Sequence, residues 1–178
     1  PALFAALKRV KVTWPEPGEK RTWDDLADEL GDIPQALVVV NLKRHALALL
    51  DALRDTPDVA HLSTNLCPLH RRAVLGHVRE QLRRGEPCRL VSTQCVEAGV
   101  DLDFPHVFRA FGPLEAIAQA AGRCNREGGL DELGKVWVFD PEESGDWRRR
   151  YPTHAYFQAS EVTRRILLDL GAIDINDP

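Results

Sequence analysis

The sequence predicts an α/β layer fold built on a mainly parallel sheet. Short apolar runs of strand length alternate with longer segments of helical period along most of the chain. Several runs, such as Ala36 to Val40, are continuously apolar, as in strands buried on both faces. The chain has 178 residues, 44% hydrophobic and 28% charged, which suffices for one domain with a full core.

The elements follow in order. Lys8 to Thr13 alternates weakly and reads as an edge strand, broken by Pro15-Glu16-Pro17-Gly18. Thr22 opens a short helix over Trp23 to Leu30, with Asp24 and Asp25 in its first turn and Gly31 at its end. Ala36 to Asn41 is a buried strand, followed by a helical period in Ala46, Leu47, Leu49, Leu50 and Leu53. Val59 to Ser63 is the next strand, and Pro68 suits the first turn of the helix after it. That helix carries Val74, Leu75, Val78 and Leu82 as its apolar stripe and five arginines mostly off it. Cys88 to Ser92 and Val107 to Phe111 are further strands. A helix is expected from Pro113 to about Asn125, a strand over Lys135 to Phe139, and a final amphipathic helix over residues 153–170. Surface turns are expected at Gly128-Gly129 and at Glu142 to Gly145.

Composition narrows the function classes. A net charge of −4 argues against a protein that coats nucleic acid with its whole surface, yet leaves room for a local basic track. No apolar run approaches the roughly 18 to 20 residues that span a bilayer, so no membrane partner is expected. The four cysteines form no CxxC pair and read as reduced intracellular thiols. Cys67-x-x-His70, with His61 and His77 nearby, lacks the second compact pair that a tetrahedral zinc site needs, so no metal site is assigned. The chain starts at Pro1 and contains no Met, and reads as a piece of a longer protein.

Two segments carry the chemistry. In Gln119-Ala-Ala-Gly122-Arg123-Cys-Asn-Arg126, two arginines three apart suit one helix face aimed at adjacent phosphate oxygens, and Gly122 allows close backbone approach. Such arginines can stabilise charge on a transferred phosphoryl group; two solvated surface arginines are the plain alternative. Ser92 and Thr93 end a buried strand, where hydroxyls and free amides suit a nucleic-acid phosphate and equally suit a helix cap. Gly99-Val100-Asp101 supplies a turn and then a carboxylate, placed to accept from a ribose hydroxyl, to orient an arginine, or only to form the turn. Arg148-Arg149-Arg150 reads either as a nucleic-acid contact or as a solvated charge run. No phosphate-binding GxxxxGK[ST] loop and no Asp-Glu metal-binding strand occurs, so the chain alone is not expected to hydrolyse ATP at a useful rate.

Val91 to Asp101 and Gln119 to Arg126 resemble motifs V and VI of superfamily-two helicases. Together with Leu62 to Arg72 and Val38 to Ala46, they resemble the CRISPR-associated helicase–nucleases of type I systems over roughly residues 36–140. That resemblance implies the second RecA-like domain, a three-layer sandwich. It implies a lead-in segment at 1–35, a domain core at 36–140 and a C-terminal extension at 141–178. It further implies an ATP-dependent, cytoplasmic single-stranded-DNA translocase or helicase of antiviral defence. Arg123 and Arg126 would contact the γ-phosphate, with Gln119, Gly122, Asp101 and Gly99 at the nucleotide. Asn41, Ser63, Thr64, Ser92 and Thr93 would lie at the DNA backbone. ATP and Mg²⁺ would be bound mainly by a first RecA-like domain. The implied partners are single-stranded DNA, that first domain, an HD nuclease domain and an RNA-guided surveillance complex. A non-catalytic interaction module and a different superfamily-two motor are the alternatives.

Overall fold

The computed structural model describes residues 8–96 and 101–175. Six strands form one sheet: β1 (Val10–Thr13), β2 (Gln35–Val39), β3 (Val59–Leu62), β4 (Cys88–Ser92), β5 (His106–Ala110) and β6 (Gly134–Phe139). Their order across the sheet is β1-β6-β5-β2-β4-β3, and every pairing is parallel. Among the described residues five α-helices accompany them: α1 (Trp23–Asp32), α2 (Lys43–Ala52), α3 (Pro68–Arg84), α4 (Leu114–Ala121) and α5 (His154–Leu170).

The continuous apolar runs are explained by the sheet's two covered faces. In β2, Leu37 and Val39 point into one core with Val78 of α3 and Ala120 of α4. Ala36 and Val38 point into the other with Leu26 and Leu30 of α1 and Leu49 of α2. A strand has period two, so burial on both sides leaves no polar position along it. This is the three-layer α/β sandwich expected from the sequence.

Local signals set the helix ends. The Thr22 hydroxyl accepts from Asp25 N at 3.1 Å, and the Asp25 carboxylate accepts from Thr22 N, forming a capping box. Pro68 occupies the first turn of α3, and Gly85 closes it at φ 68°, a left-handed angle that favours glycine. The clearest difference from expectation lies at α4, which stops at Ala121 instead of about Asn125. Beyond Gly122 the chain leaves helical geometry and forms a parallel bridge between Phe104 and Cys124. Asn125 then takes a left-handed φ of 45°.

One buried histidine makes stability depend on pH. His45 is fully buried in α2 beside Trp23, its ring Nε2 lies 2.9 Å from Arg149 O, and Glu143 is 3.5 Å away. Burial lowers its pKa below the ordinary 6.5, outweighing the Arg149 carbonyl and Glu143, which act upward. The unfolded chain therefore takes up this proton before the folded one does. The stability held by neutral His45 is complete above about pH 6.5 and is lost as pH falls toward the lower folded pKa. Burial also lowers the pKa of His61 and His106, so the three act in the same direction. Urea midpoints measured from pH 7.5 to 5 should fall, with a shallower slope in His45→Gln. An unchanged slope in that variant would contradict the assignment.

Candidate functional site

All strands run the same way, so their carboxyl ends share one edge of the sheet and their amino ends the other. The candidate residues divide between these two edges.

At the carboxyl edge lie Asn41 after β2, Ser63 and Thr64 after β3, and Ser92 and Thr93 at the end of β4. An open groove of about 470 Å³ there is lined by Asn41, Lys43, Thr64, Thr93, Gln94 and Pro152, among others. Thr64 is exposed, and Lys43 Nζ donates to Asn65 Oδ1 at 2.6 Å beside it. The polar groups beneath are committed to the fold. The Ser92 hydroxyl is fully buried and donates to Leu62 O at 3.0 Å or Thr93 O at 2.9 Å. Ser63 is also fully buried, and its hydroxyl oxygen lies 3.4 Å from the Asn65 amide that donates to it. Thr93 keeps 7% exposure and its hydroxyl donates to Cys95 Sγ at 3.6 Å.

Asn41 is only 3% exposed. Its amide nitrogen donates to Phe111 O at 2.8 Å, while its Oδ1 accepts from Arg109 Nη1 at 2.8 Å and from the Tyr156 hydroxyl at 3.2 Å. Rather than an exposed phosphate contact, the side chain is a strut joining β2, β5 and α5. Arg109, fully buried in β5, completes that network by donating to Ala110 O and to the Tyr156 hydroxyl at 2.8 and 2.7 Å.

At the amino edge, residues 123–127 form a tight turn against the starts of β1, β5 and β6. Phe104 N donates to Arg123 O at 2.9 Å, and Asn125 N donates to Phe104 O at 3.0 Å. The buried Asn125 side chain donates to Arg9 O at 3.1 Å and accepts from Leu130 N at 3.3 Å. Asp103 holds the turn from the other side, accepting from Arg126 N at 2.7 Å and Glu127 N at 3.0 Å. The Arg126 guanidinium pairs with the Asp101 carboxylate, and Arg123 Nε donates to Val96 O at 3.3 Å. The two arginines therefore do not share a helix face. They leave a turn beyond α4, and each is held by the segment that follows β4.

Gly122 is exposed at the end of α4 with φ −65°, an angle open to any residue. Gln119 is exposed in the last turn of that helix. Gly99 lies outside the described residues. A groove of about 290 Å³ beside the turn is lined by Arg9, Gly122, Arg126 and Cys124, among others. Two guanidiniums and an exposed backbone there fit the donor set that an oxyanion needs. Burial, reinforced by the Asp103 charge, pushes the Cys124 thiol up to about 12, so it stays protonated and donates to Pro105 O at 3.4 Å. Among the described residues no group of three or more His, Cys, Asp or Glu is placed to hold a metal ion, and no helix is long and apolar enough to cross a membrane.

Asp103 and Asn125 went unnoticed in the sequence. Asn125 sits inside the motif itself, and an asparagine following a glycine-broken helix is a signal for left-handed backbone. Gly134 is a third such residue. A Cβ there would lie 2.6 Å from Cys124 Sγ and 2.9 Å from Asn125 Cβ, so the start of β6 must be glycine for the turn to seat. Gly134→Ala should cost about 1–3 kcal/mol in urea unfolding. Adding Cys124→Ala should restore part of it, whereas wild-type stability in the single variant would rule out the tight contact.

The model of the family described as CRISPR-associated nuclease/helicase Cas3, C-terminal, matches residues 32–129, more than half of the chain. The chain belongs to the Cas3-like C-terminal family. A Cas3 nuclease/helicase from Haloferax volcanii is 37% identical over an alignment of 135 positions that covers 69% of this chain and 14% of the relative. The chain thus spans about a seventh of that Cas3 protein. In three dimensions it matches the T. fusca Cas3–ATP crystal structure with a TM-score of 0.74 at 20% identity, covering 96% of this chain and 22% of the other. It also matches a chain of a CRISPR RNA-guided surveillance complex, pre-nicking, with a TM-score of 0.69 at 21% identity, covering 95% and 24%. These likenesses establish the RecA-like fold of a Cas3 helicase C-terminal domain. Within that Cas3-like domain, the matched span includes Asn41, Thr93, Asp101, Arg123 and Arg126, and so takes in both edges.

Proposed function

We propose that this Cas3-like domain is the second RecA-like half of an ATP-dependent single-stranded-DNA translocase or helicase in CRISPR antiviral defence. One observation carries the reading. The segment that starts with Thr93 in the carboxyl-edge groove reaches the amino edge at Asp101, where it pairs with Arg126, and on the way Val96 O accepts from Arg123. A single stretch of chain thus touches both candidate sites.

The carboxyl edge is the DNA side. Thr64, Thr93 and Lys43 meet the phosphate backbone, supported from below by Asn41, Ser63 and Ser92. Backbone contacts make the grip independent of base sequence. The amino edge is the nucleotide side. ATP is the substrate and binds in a cleft formed with a first RecA-like domain, which also holds most of the contacts to Mg²⁺. Mg²⁺ held there would supply charge neutralisation to the phosphates. Arg126 exchanges the Asp101 carboxylate for a γ-phosphate oxygen, and Arg123 exchanges Val96 O for another. Both exchanges replace one acceptor by another, so each guanidinium has a partner in both states. Gln119, Gly122 and Gly99 border the nucleotide. Release of Asp101 and Val96 alters the Thr93 grip on DNA. An HD nuclease domain, an RNA-guided surveillance complex and the cytoplasm complete the setting implied for such a motor.

The arginines' internal partners also suit an interaction module whose guanidiniums never leave the fold. Single-stranded-DNA-stimulated ATP turnover separates the readings. The motor reading expects none from the chain alone and turnover once it is joined to a first RecA-like domain. No turnover in the joined protein would favour the interaction module, and turnover by the chain alone would contradict the division of labour.

A further inference from the structure

The segment between β6 and α5 carries a basic and aromatic cluster that the motor reading leaves unused. Trp147 to Arg149 form a single 3-10 turn, capped by the Asp146 side chain accepting from Arg148 N at 2.9 Å. The Trp147 ring stacks on Phe157 of α5 at 6.0 Å between centroids with an interplanar angle of 13°. The Arg148 guanidinium lies over the Trp147 ring, 4.9 Å from its centroid, so it caps the indole and is itself backed by an aromatic face. The Arg148 side chain remains 71% exposed while paired with Asp146. Arg149 is exposed and makes no ion pair among the described residues.

This cluster is fastened to the carboxyl-edge groove. Arg44 Nη2 donates to Arg148 O at 3.1 Å, and the buried His45 ring holds Arg149 O at 2.9 Å. Both anchors stand in the first turn of α2, directly after Lys43, which lines the groove. Pro152, three residues beyond Arg149, lines the same groove. Lys43, Arg44, Arg148 and Arg149 therefore gather at one rim of a chain whose net charge is −4. Close to them the acids are Asp146, paired with Arg148, and Glu143, set against His45.

We propose that the Trp147–Arg148–Arg149 shelf extends the single-strand track beyond the groove, binding the next one or two nucleotides. The exposed guanidiniums take phosphate oxygens, and the Arg148 guanidinium, backed by the indole, offers its outer side to a base. Every base has a flat face, so the contact is indifferent to sequence. The inference rests on the carboxyl edge being the DNA side.

The test is fluorescence anisotropy of the full chain with oligo-dT of about 5 and about 12 nucleotides, within the span of single-strand site sizes. Three proteins are compared: wild type, Arg148→Ser/Arg149→Ser, and Lys43→Ala. The double variant should bind the longer strand about ten-fold more weakly, with the salt slope reduced by about 1.4 for two phosphates. Its affinity for the shorter strand should match wild type, while Lys43→Ala weakens both. Equal binding of the longer strand by the double variant and wild type would overturn the shelf and leave the groove standing. Failure of wild type to bind either strand would instead remove the DNA assignment of the whole edge, and the shelf with it.

Discussion

Replacing Arg126 by alanine should lower single-stranded-DNA-stimulated ATP turnover of the joined protein by about 10³-fold or more, the scale of arginine-finger removal. The fold should survive. Arg126 is about half exposed in its side chain, and its ion-pair partner Asp101 is more exposed still, so little stability rests on that pair. The turn itself is held by backbone groups and by Asp103, none of which the substitution touches. Arg126→Lys should recover little, because an ammonium lacks the planar fork that meets two phosphate oxygens. Steady-state turnover and urea unfolding on the same preparation check both halves. Turnover within a few-fold of wild type would exclude Arg126 from the phosphate.

The second large effect concerns stability. Arg109→Ala should cost about 3–5 kcal/mol in urea unfolding, from the cavity left and the acceptors stranded. Those acceptors are Asn41 Oδ1, Ala110 O and the Tyr156 hydroxyl, all within 2.8 Å of the guanidinium. Their loss would loosen Asn41, and with it the floor beside the groove. Tyr156→Phe removes only the hydroxyl and should cost about 1 kcal/mol. A cost below about 1 kcal/mol for Arg109→Ala would show that the network contributes little.

The layer architecture was legible because both sheet faces are covered, which makes the strands continuous apolar runs and the helices clear periodic segments. The weakly alternating Lys8 to Thr13 stretch is an edge strand as its pattern predicts, since among the described residues β1 pairs only with β6. What escaped notice depends on tertiary partners. The helical period before Asn125 is genuine, yet Gly122 weakens it and the Phe104–Cys124 bridge rewards an extended backbone instead. Polar residues at strand ends carried a second ambiguity. Asn41 and Ser92 follow apolar runs, as a phosphate contact would, but a buried polar network under the sheet edge leaves the same trace in a sequence. Arg109 gave no warning at all. An arginine within an apolar strand looks like an exposed position until the chain supplies Asn41 and Tyr156 from sites 68 and 47 residues away.

The proposed motor requires communication between the two edges. The most direct test is the single-stranded-DNA affinity of the joined protein, measured with and without a non-hydrolysable ATP analogue, in wild type and in Arg126→Ala. Nucleotide should change the wild-type affinity by about 5-fold or more, the ordinary scale of coupling between sites, and should leave the Arg126→Ala affinity unchanged. Equal wild-type affinity in both conditions, or an undiminished response in Arg126→Ala, would contradict it.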